Sequence, residues 1–317
     1  MVEILIIERK SKVLTSSDLA CLSKIATINL TAGCTHGCRY CYTKGFSVYP
    51  GDGRVVIYKD LPEKLRDELQ RRRKKPKAVY FSPSSDIFQP VREVLDLAYE
   101  LLEILFENNI SVTILTKGKI PTRHMSLLRN NMSLVNVQIG IITMNDRIRR
   151  LFEPNAASCA ERISQIRQLI EYGIPTRARL DPIIPEFTDD ETTLKTLFQN
   201  LSKVGIKKTA IAVLYLRPRI KGSIKQYLGD QERSTQLLAH FETGYRMPIS
   251  AKNSYVTALS KEFRGKLFNR AQQIANSYAI ETKICACKNP DIASECCGIA
   301  GNWQPPSNNQ IQNNLFD

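Results

Sequence analysis

Apolar residues follow two alternating spacings along this chain. Short runs rich in β-branched and aromatic side chains predict six strands: "ATINLT" (26–31), "KAVYFS" (77–82), "SVTILTK" (111–117), "VNVQIGIIT" (135–143), "TRARLDPII" (176–184) and "KTAIAVLYL" (208–216). Between them, residues 61–73, 90–108, 121–130, 157–172 and 190–204 carry amphipathic helical patterns. In 157–172 the apolar positions are Ile163, Ile166, Leu169 and Ile170, and Gly173-Ile174-Pro175 then stops the helix. Strands alternating with helices imply βαβ units on a parallel sheet, which right-handed crossovers can curl into a barrel. The reactive end of such a sheet is where the strands end. Past residue 217 the alternation fades. "RSTQLLAHFETGYRM" and "KEFRGKLFNRAQQIANSYA" read as helices, and "QPPSNNQIQNNLFD" as a polar tail. The expected organisation is an extension at 1–25 packing on a barrel at 26–217, then a mainly helical, cysteine-bearing region at 218–317.

Composition narrows this only a little. A chain of 317 residues with 43% hydrophobic and 24% charged residues can bury a full core. No apolar run reaches the roughly eighteen residues of a membrane span. "MVEILIIERKSK" has too short an apolar stretch and the wrong flanks for a secretory signal. A cytoplasmic protein without a membrane partner is expected. The net charge of +14 suits a nucleic-acid partner. Its densest run, "RRRKKPK" (71–77), reads equally well as a solvated helix end. Charge does not name the substrate.

The nine cysteines are more informative because they cluster. Cys34, Cys38 and Cys41 fall in "GCTHGCRYCYTKGF" (33–46), directly after the first strand. Cys285, Cys287, Cys296 and Cys297 fall in "ICACKNPDIASECCG" (284–298), while Cys21 and Cys159 stand alone. In a reducing cytosol such clusters point to metal or catalytic chemistry rather than disulfides. Three close thiolates are one short of a closed tetrahedral site. They leave open an iron–sulfur cluster with one free iron, a zinc site, or a cluster completed from elsewhere. The C-terminal four would close a second site, an auxiliary [4Fe–4S] cluster ahead of zinc, with packed free thiols as the bland alternative.

The spacing C-x3-C-x2-C, with aromatic Tyr40 before the last cysteine, resembles the signature of the radical S-adenosylmethionine (SAM) superfamily. "KSKVLTSSDLACLSKIATINLTAGCTHGCRYCY", "FSPSSDIFQP", "VTILTKG", "RRLFEPNAAS" and "LDPIIP" are together similar to its spore photoproduct lyase-like, or DNA-repair photolyase-like, branch over about residues 10–217. The resemblance implies an α/β fold, a partial (β/α)6 TIM-type barrel. It implies a [4Fe–4S] cluster on Cys34, Cys38 and Cys41, with SAM on the open iron. One electron from a flavodoxin, ferredoxin or reductase then cleaves SAM to methionine and a 5′-deoxyadenosyl radical that abstracts hydrogen. By the same resemblance Tyr40 belongs to the cofactor site, Ser84, Ser85 and Asp86 meet the methionine end of SAM, and Lys117 meets its carboxylate. Thr143 and Asn145 reach the ribose, and Arg179 and Asp181 are SAM contacts or barrel-interior partners.

The chain departs from that branch at one point. The authentic lyase has a hydrogen-returning cysteine in a short segment after the second strand. Here that segment is Pro83-Ser84-Ser85-Asp86, and Cys159 reads as a packed residue at a helix start. No catalytic residue is assigned. The substrate class stays open between DNA or RNA and a small molecule or peptide. A non-catalytic iron–sulfur or zinc protein that binds nucleic acid is the reading from another class.

Overall fold

The structure, a computed structural model, describes residues 2–17, 20–23, 25–229, 232–249 and 254–295. It begins with β1 (Glu3–Ile7), β2 (Ala26–Ile28), β3 (Thr31–Ala32) and β4 (Arg54–Tyr58). Helix and strand then alternate through α1 (Leu61–Arg71), β5 (Ala78–Phe81), α2 (Arg92–Glu107), β6 (Ser111–Thr116), α3 (Thr122–Asn130) and β7 (Val135–Gly140). Next come α4 (Asp146–Phe152), α5 (Cys159–Glu171), β8 (Thr176–Ile183), α6 (Glu191–Lys203) and β9 (Lys208–Val213). The C-terminal part adds α7 (Pro218–Leu228), α8 (Glu232–Ala239), β10 (Tyr245–Pro248), β11 (Tyr255–Ala258), α9 (Lys261–Ser277) and β12 (Glu281–Ile284).

The main sheet runs β12-β9-β8-β7-β6-β5-β2 with every neighbouring pair parallel. This is the partial barrel expected, with each of the six expected strands in it. Central β7 is buried at all its positions, as a parallel strand covered on both faces must be. The helices follow from their ends as much as from their periodicity. Ser158 and Glu161 form a reciprocal capping box at α5, and Asp190 and Ser260 cap α6 and α9 through the third backbone N–H. On α2, Val94, Leu97, Ala98, Leu101, Leu102 and Leu105 form the stripe that packs on the sheet.

Two elements differ from the sequence expectation. Residues 218–280 are not purely helical, because "HFETGYRM" turns into the hairpin β10–β11. More important, β12 adds a seventh parallel strand beside β9, in the register Thr282↔Thr209. Its sequence, ETKI, holds one apolar residue and gives no alternation to detect. Pairing to an open sheet edge supplies what local propensity lacks. The C-terminal cysteines, expected beyond the barrel, therefore begin at the end of one of its strands.

The N-terminal segment is pinned to the barrel. The Val13 and Leu14 backbone N–H groups donate to the Glu68 carboxylate at 2.5 and 3.1 Å, and Thr15 pairs with Thr27 of β2. A small sheet, β1-β4-β3, flanks the start of the cysteine loop. Gly33 follows β3 with φ +83°, and a Cβ there would lie 2.5 Å from the Arg54 carbonyl of β4. Only glycine fits that passage.

Candidate active site

A cavity of 460 Å³ opens where the parallel strands end, within the usual size range of small-molecule sites. Its wall is built strand by strand. The cysteine loop follows β2 and β3, Ser82 follows β5, Lys117 follows β6, and Gly140 ends β7. Asp181 lies on β8, Tyr215 follows β9, and Cys285 follows β12. Successive strand ends converging on one cavity is the arrangement by which barrels assemble sites from distant residues.

The cysteine loop is held from three sides. On one, the Thr35 N–H donates to Gln89 Oε1 at 2.8 Å, and Gln89 in turn donates to Thr31 Oγ1 and the Asp86 carbonyl. On the second, the segment after α4 receives the loop. Arg39 N–H donates to the Phe152 carbonyl at 2.8 Å, Asn155 Nδ2 donates to the Thr35 carbonyl at 2.9 Å, and the Tyr40 hydroxyl donates to Glu153 Oε1. Glu153 is fully buried and pairs at 2.6 Å with Arg162, itself 1% exposed. Arg162 also donates to the carbonyls of Ala157 and Gly140, so the pair is hydrogen-bonded as a buried charge must be. On the third side α7 closes in, with Lys44 donating to Ser223 at 3.1 Å and the Arg39 guanidinium 3.4 Å above the Tyr227 ring.

Cys34, Cys38 and Cys41 all face the cavity. Burial pushes the Cys34 and Cys38 thiols up, Cys38 to about 12, with Asp86 adding to the first and Glu153 to the second. Bound iron would favour the thiolate forms of these two cysteines, the forms that ligate it. The three sulfurs do not close around one point, and among the described residues no group of three ligating side chains does so.

Residues 28–197, more than half of the chain, match the radical SAM superfamily. The chain belongs to that superfamily. Over 173 residues it is 30% identical to a radical SAM Nalpha-GlyT isomerase of Pseudomonas phage M6, a match covering 54% of this chain and 35% of that protein. Over 164 residues it is 29% identical to an uncharacterised protein of Methanocaldococcus jannaschii, covering 52% and 62%. The chain thus spans less than two thirds of the length of either relative. In fold it is similar to spore photoproduct lyase complexed with dinucleoside spore photoproduct, with a TM-score of 0.66 at 14% identity, covering 89% of this chain and 82% of that one. A radical SAM methyltransferase from Sphaerobacter thermophilus gives a TM-score of 0.51 at 16% identity, covering 82% and 66%. At those identities the likeness is one of fold.

Radical SAM membership brings a [4Fe–4S] cluster and SAM, and the residues named from sequence divide on where the fold puts them. Tyr40, Ser84, Ser85, Asp86, Lys117 and Arg179 line the cavity, whereas Thr143 and Asn145 do not. Asn145 Oδ1 caps α4 by accepting from the Arg147 and Ile148 N–H groups, and Thr143 Oγ1 accepts from the Asn145 N–H. Asp86 is already occupied. Its oxygens accept from Phe88 N–H, Thr116 Oγ1 and Lys117 N–H at 2.8–2.9 Å, and His36 Nε2 lies 3.1 Å away. Burial alone would raise its carboxyl, but His36 and these donors hold it well below the usual range. Asp86 thus lines the cavity with its oxygens engaged in bracing the loop. Ser84 Oγ donates to Asn29 at 2.6 Å, and Ser82 and Ser85 share a hydrogen bond. Cys159 is packed, donating to the Thr143 carbonyl at 3.2 Å, outside the cavity wall.

Lys117 is a half-buried cation of the site. Its stem covers Gly140, where any Cβ would meet Lys117 Cγ at 2.9 Å, and its Nζ is 5.9 Å from the Tyr40 ring. Arg179 and Asp181, two apart on β8, share the interior face. Asp181 joins Arg179 at 3.0 Å to Lys288 at 2.6 Å, a partner absent from the sequence reading. Cys285 and Cys287 also line the cavity, while Cys296 and Cys297 lie outside the described residues.

The Asp181 pair has a pH signature. Burial would raise its carboxyl, but Lys288 first and Arg179 next lower it from 3.8 to about 2. A lowered folded-state value stabilises above the ordinary value and ceases to do so as pH falls through the folded one. The stability gap between the wild type and Asp181→Asn should therefore be full above pH 3.8 and close towards about pH 2. Urea titrations at stepped pH measure it. A gap that stays constant across that window would remove the ion pair from the account.

Proposed function

We propose that this protein reductively cleaves SAM at a cluster on Cys34, Cys38 and Cys41 and acts on a nucleic-acid substrate admitted through the same cavity. The observation that carries the substrate class is the charge of the wall. Four cations, Lys117, Arg179, Arg217 and Lys288, face two carboxylates, Asp86 and Asp181. Asp181 is shared between Arg179 and Lys288 and Asp86 is engaged by His36, whereas Lys117 and Arg217 have no carboxylate within ion-pair distance among the described residues. A cavity with two uncompensated cations selects anions. Lys117 suits the SAM carboxylate. Arg217, on the cavity wall and donating to Ser254 Oγ at 2.5 Å, suits a phosphate. Exposed Phe46 on the same cavity wall offers a stacking face for a base.

When bound, the cluster supplies the electron that splits SAM and releases a hydrogen-abstracting radical. The protein's own residues hold the loop, orient the SAM carboxylate and wall off water. Such a cluster needs a flavodoxin, ferredoxin or reductase donor and a reducing compartment, the cytoplasm. No helix among the described residues is long and apolar enough to cross a membrane.

The run at 71–77 does not belong to this surface. It joins α1 to the start of β5, at the opposite end of the sheet, and Lys75 bonds Asn108 at the end of α2. Charge reversal there should leave substrate binding intact. Single-stranded oligonucleotides should bind at low salt and lose affinity as salt rises, through counterion release. Arg217→Glu should weaken binding roughly tenfold and flatten the salt slope by about one to two. Binding indifferent to salt, or none, would favour the small-molecule or peptide reading.

A further inference from the structure

Cys21 is isolated in the sequence but not in the fold. It lies on a single helical turn, Ala20–Leu22, of the N-terminal segment. Leu22 packs with Tyr80, Ala210, Ala212 and Cys285, and Cys21 and Cys287 join the same small cluster inside the barrel. All three thiols line the cavity that Cys34, Cys38 and Cys41 also face. Segments from the two ends of the chain thus bring a second cysteine triplet to one wall.

Simple packing would make these cysteines small hydrophobes. Their electrostatic setting argues otherwise. Arg179 Nη2 donates towards Cys285 Sγ at 3.6 Å, and Lys288 interacts electrostatically with the same sulfur. An N–H donor on a ligating sulfur is one of the levers that sets an iron–sulfur potential. Cys21 and Cys287 are only half-buried, open to the cavity.

We propose that Cys21, Cys285 and Cys287 ligate a second iron–sulfur cluster that faces the Cys34 loop across one cavity, with Cys21 supplied by the N-terminal segment. A cube takes four ligands, so one corner remains for a further cysteine or a molecule in the cavity. The centre stands beside the substrate rather than on a remote lobe, and it ties the chain's N-terminal segment to β12.

The test maps cysteine alkylation by iodoacetamide in the anaerobically reconstituted full chain, before and after iron is stripped by a chelator. Cys21 should react at least about tenfold more slowly in the loaded protein, together with Cys285 and Cys287, because a ligated thiolate is not a free nucleophile. Equal Cys21 reactivity in both states overturns the proposal, and this measurement needs no variant. Cys21→Ser should lower iron from about eight to about four per chain, by the four-iron content of each cube. A variant that keeps all its iron overturns Cys21 as a ligand, and stoichiometric zinc in place of the second four irons overturns the cluster. Protection of Cys34, Cys38 and Cys41 in the same map reports the first site separately. Failure there, with Cys21 still protected, counts against the SAM reading and supports this one.

Discussion

Replacing Cys34, Cys38 and Cys41 together by alanine abolishes release of 5′-deoxyadenosine from SAM by the reduced, reconstituted protein. The expectation rests on the seating of the loop as well as on its spacing. All three thiols face one cavity, and Gln89, Asn155, Glu153 and α7 hold the backbone between them. Three thiolates on a four-iron cube leave one iron open to a ligand. The measurement is anaerobic turnover with dithionite, followed by chromatography of the nucleoside. Iron content should fall by about four, the content of one cube. Release at the wild-type rate from the triple variant would remove the loop from the chemistry.

Glu153→Ala should destabilise the fold by about 3–5 kcal/mol, the usual cost of leaving one partner of a buried ion pair unpaired. Arg162, 1% exposed, would keep its charge with only the Ala157 and Gly140 carbonyls as acceptors. The same change removes the acceptor of the Tyr40 hydroxyl, between Cys38 and Cys41. Loop order and fold stability should therefore fall together. Iron retention in the first site should drop alongside the urea midpoint. Glu153→Gln keeps an acceptor for Tyr40 but not the charge, so it should lose stability while holding iron better than alanine does. An unchanged urea midpoint for Glu153→Ala would show that the pair contributes nothing net.

Much of the candidate site was legible because its chemistry is local. Cys34, Cys38 and Cys41 lie within eight consecutive positions, and Lys117, Ser84 and Ser85 sit just beyond strands that their periodicity announces. Thr143 and Asn145 were equally well placed along the chain but serve backbone groups, since Asn145 begins α4 and an N-cap is satisfied by its own helix. Position after a strand gives a residue access to the cavity end. It does not settle which way the side chain turns.

Glu153, Arg162, Gln89 and Lys288 carry no pattern of their own. Each matters through a partner distant in sequence, such as Arg162 reaching the Gly140 carbonyl or Lys288 reaching Asp181. The sequence by itself determined the alternating α/β architecture, the first cysteine triplet and the superfamily, because periodicity and close spacing are properties of contiguous residues. The tertiary structure decided that ETKI becomes a seventh strand, that Cys285 and Cys287 enter the barrel cavity, and that Cys21 joins them. Those outcomes depend on an unpaired edge at β9 and on two chain ends folding back to it, and no local run of residues encodes either.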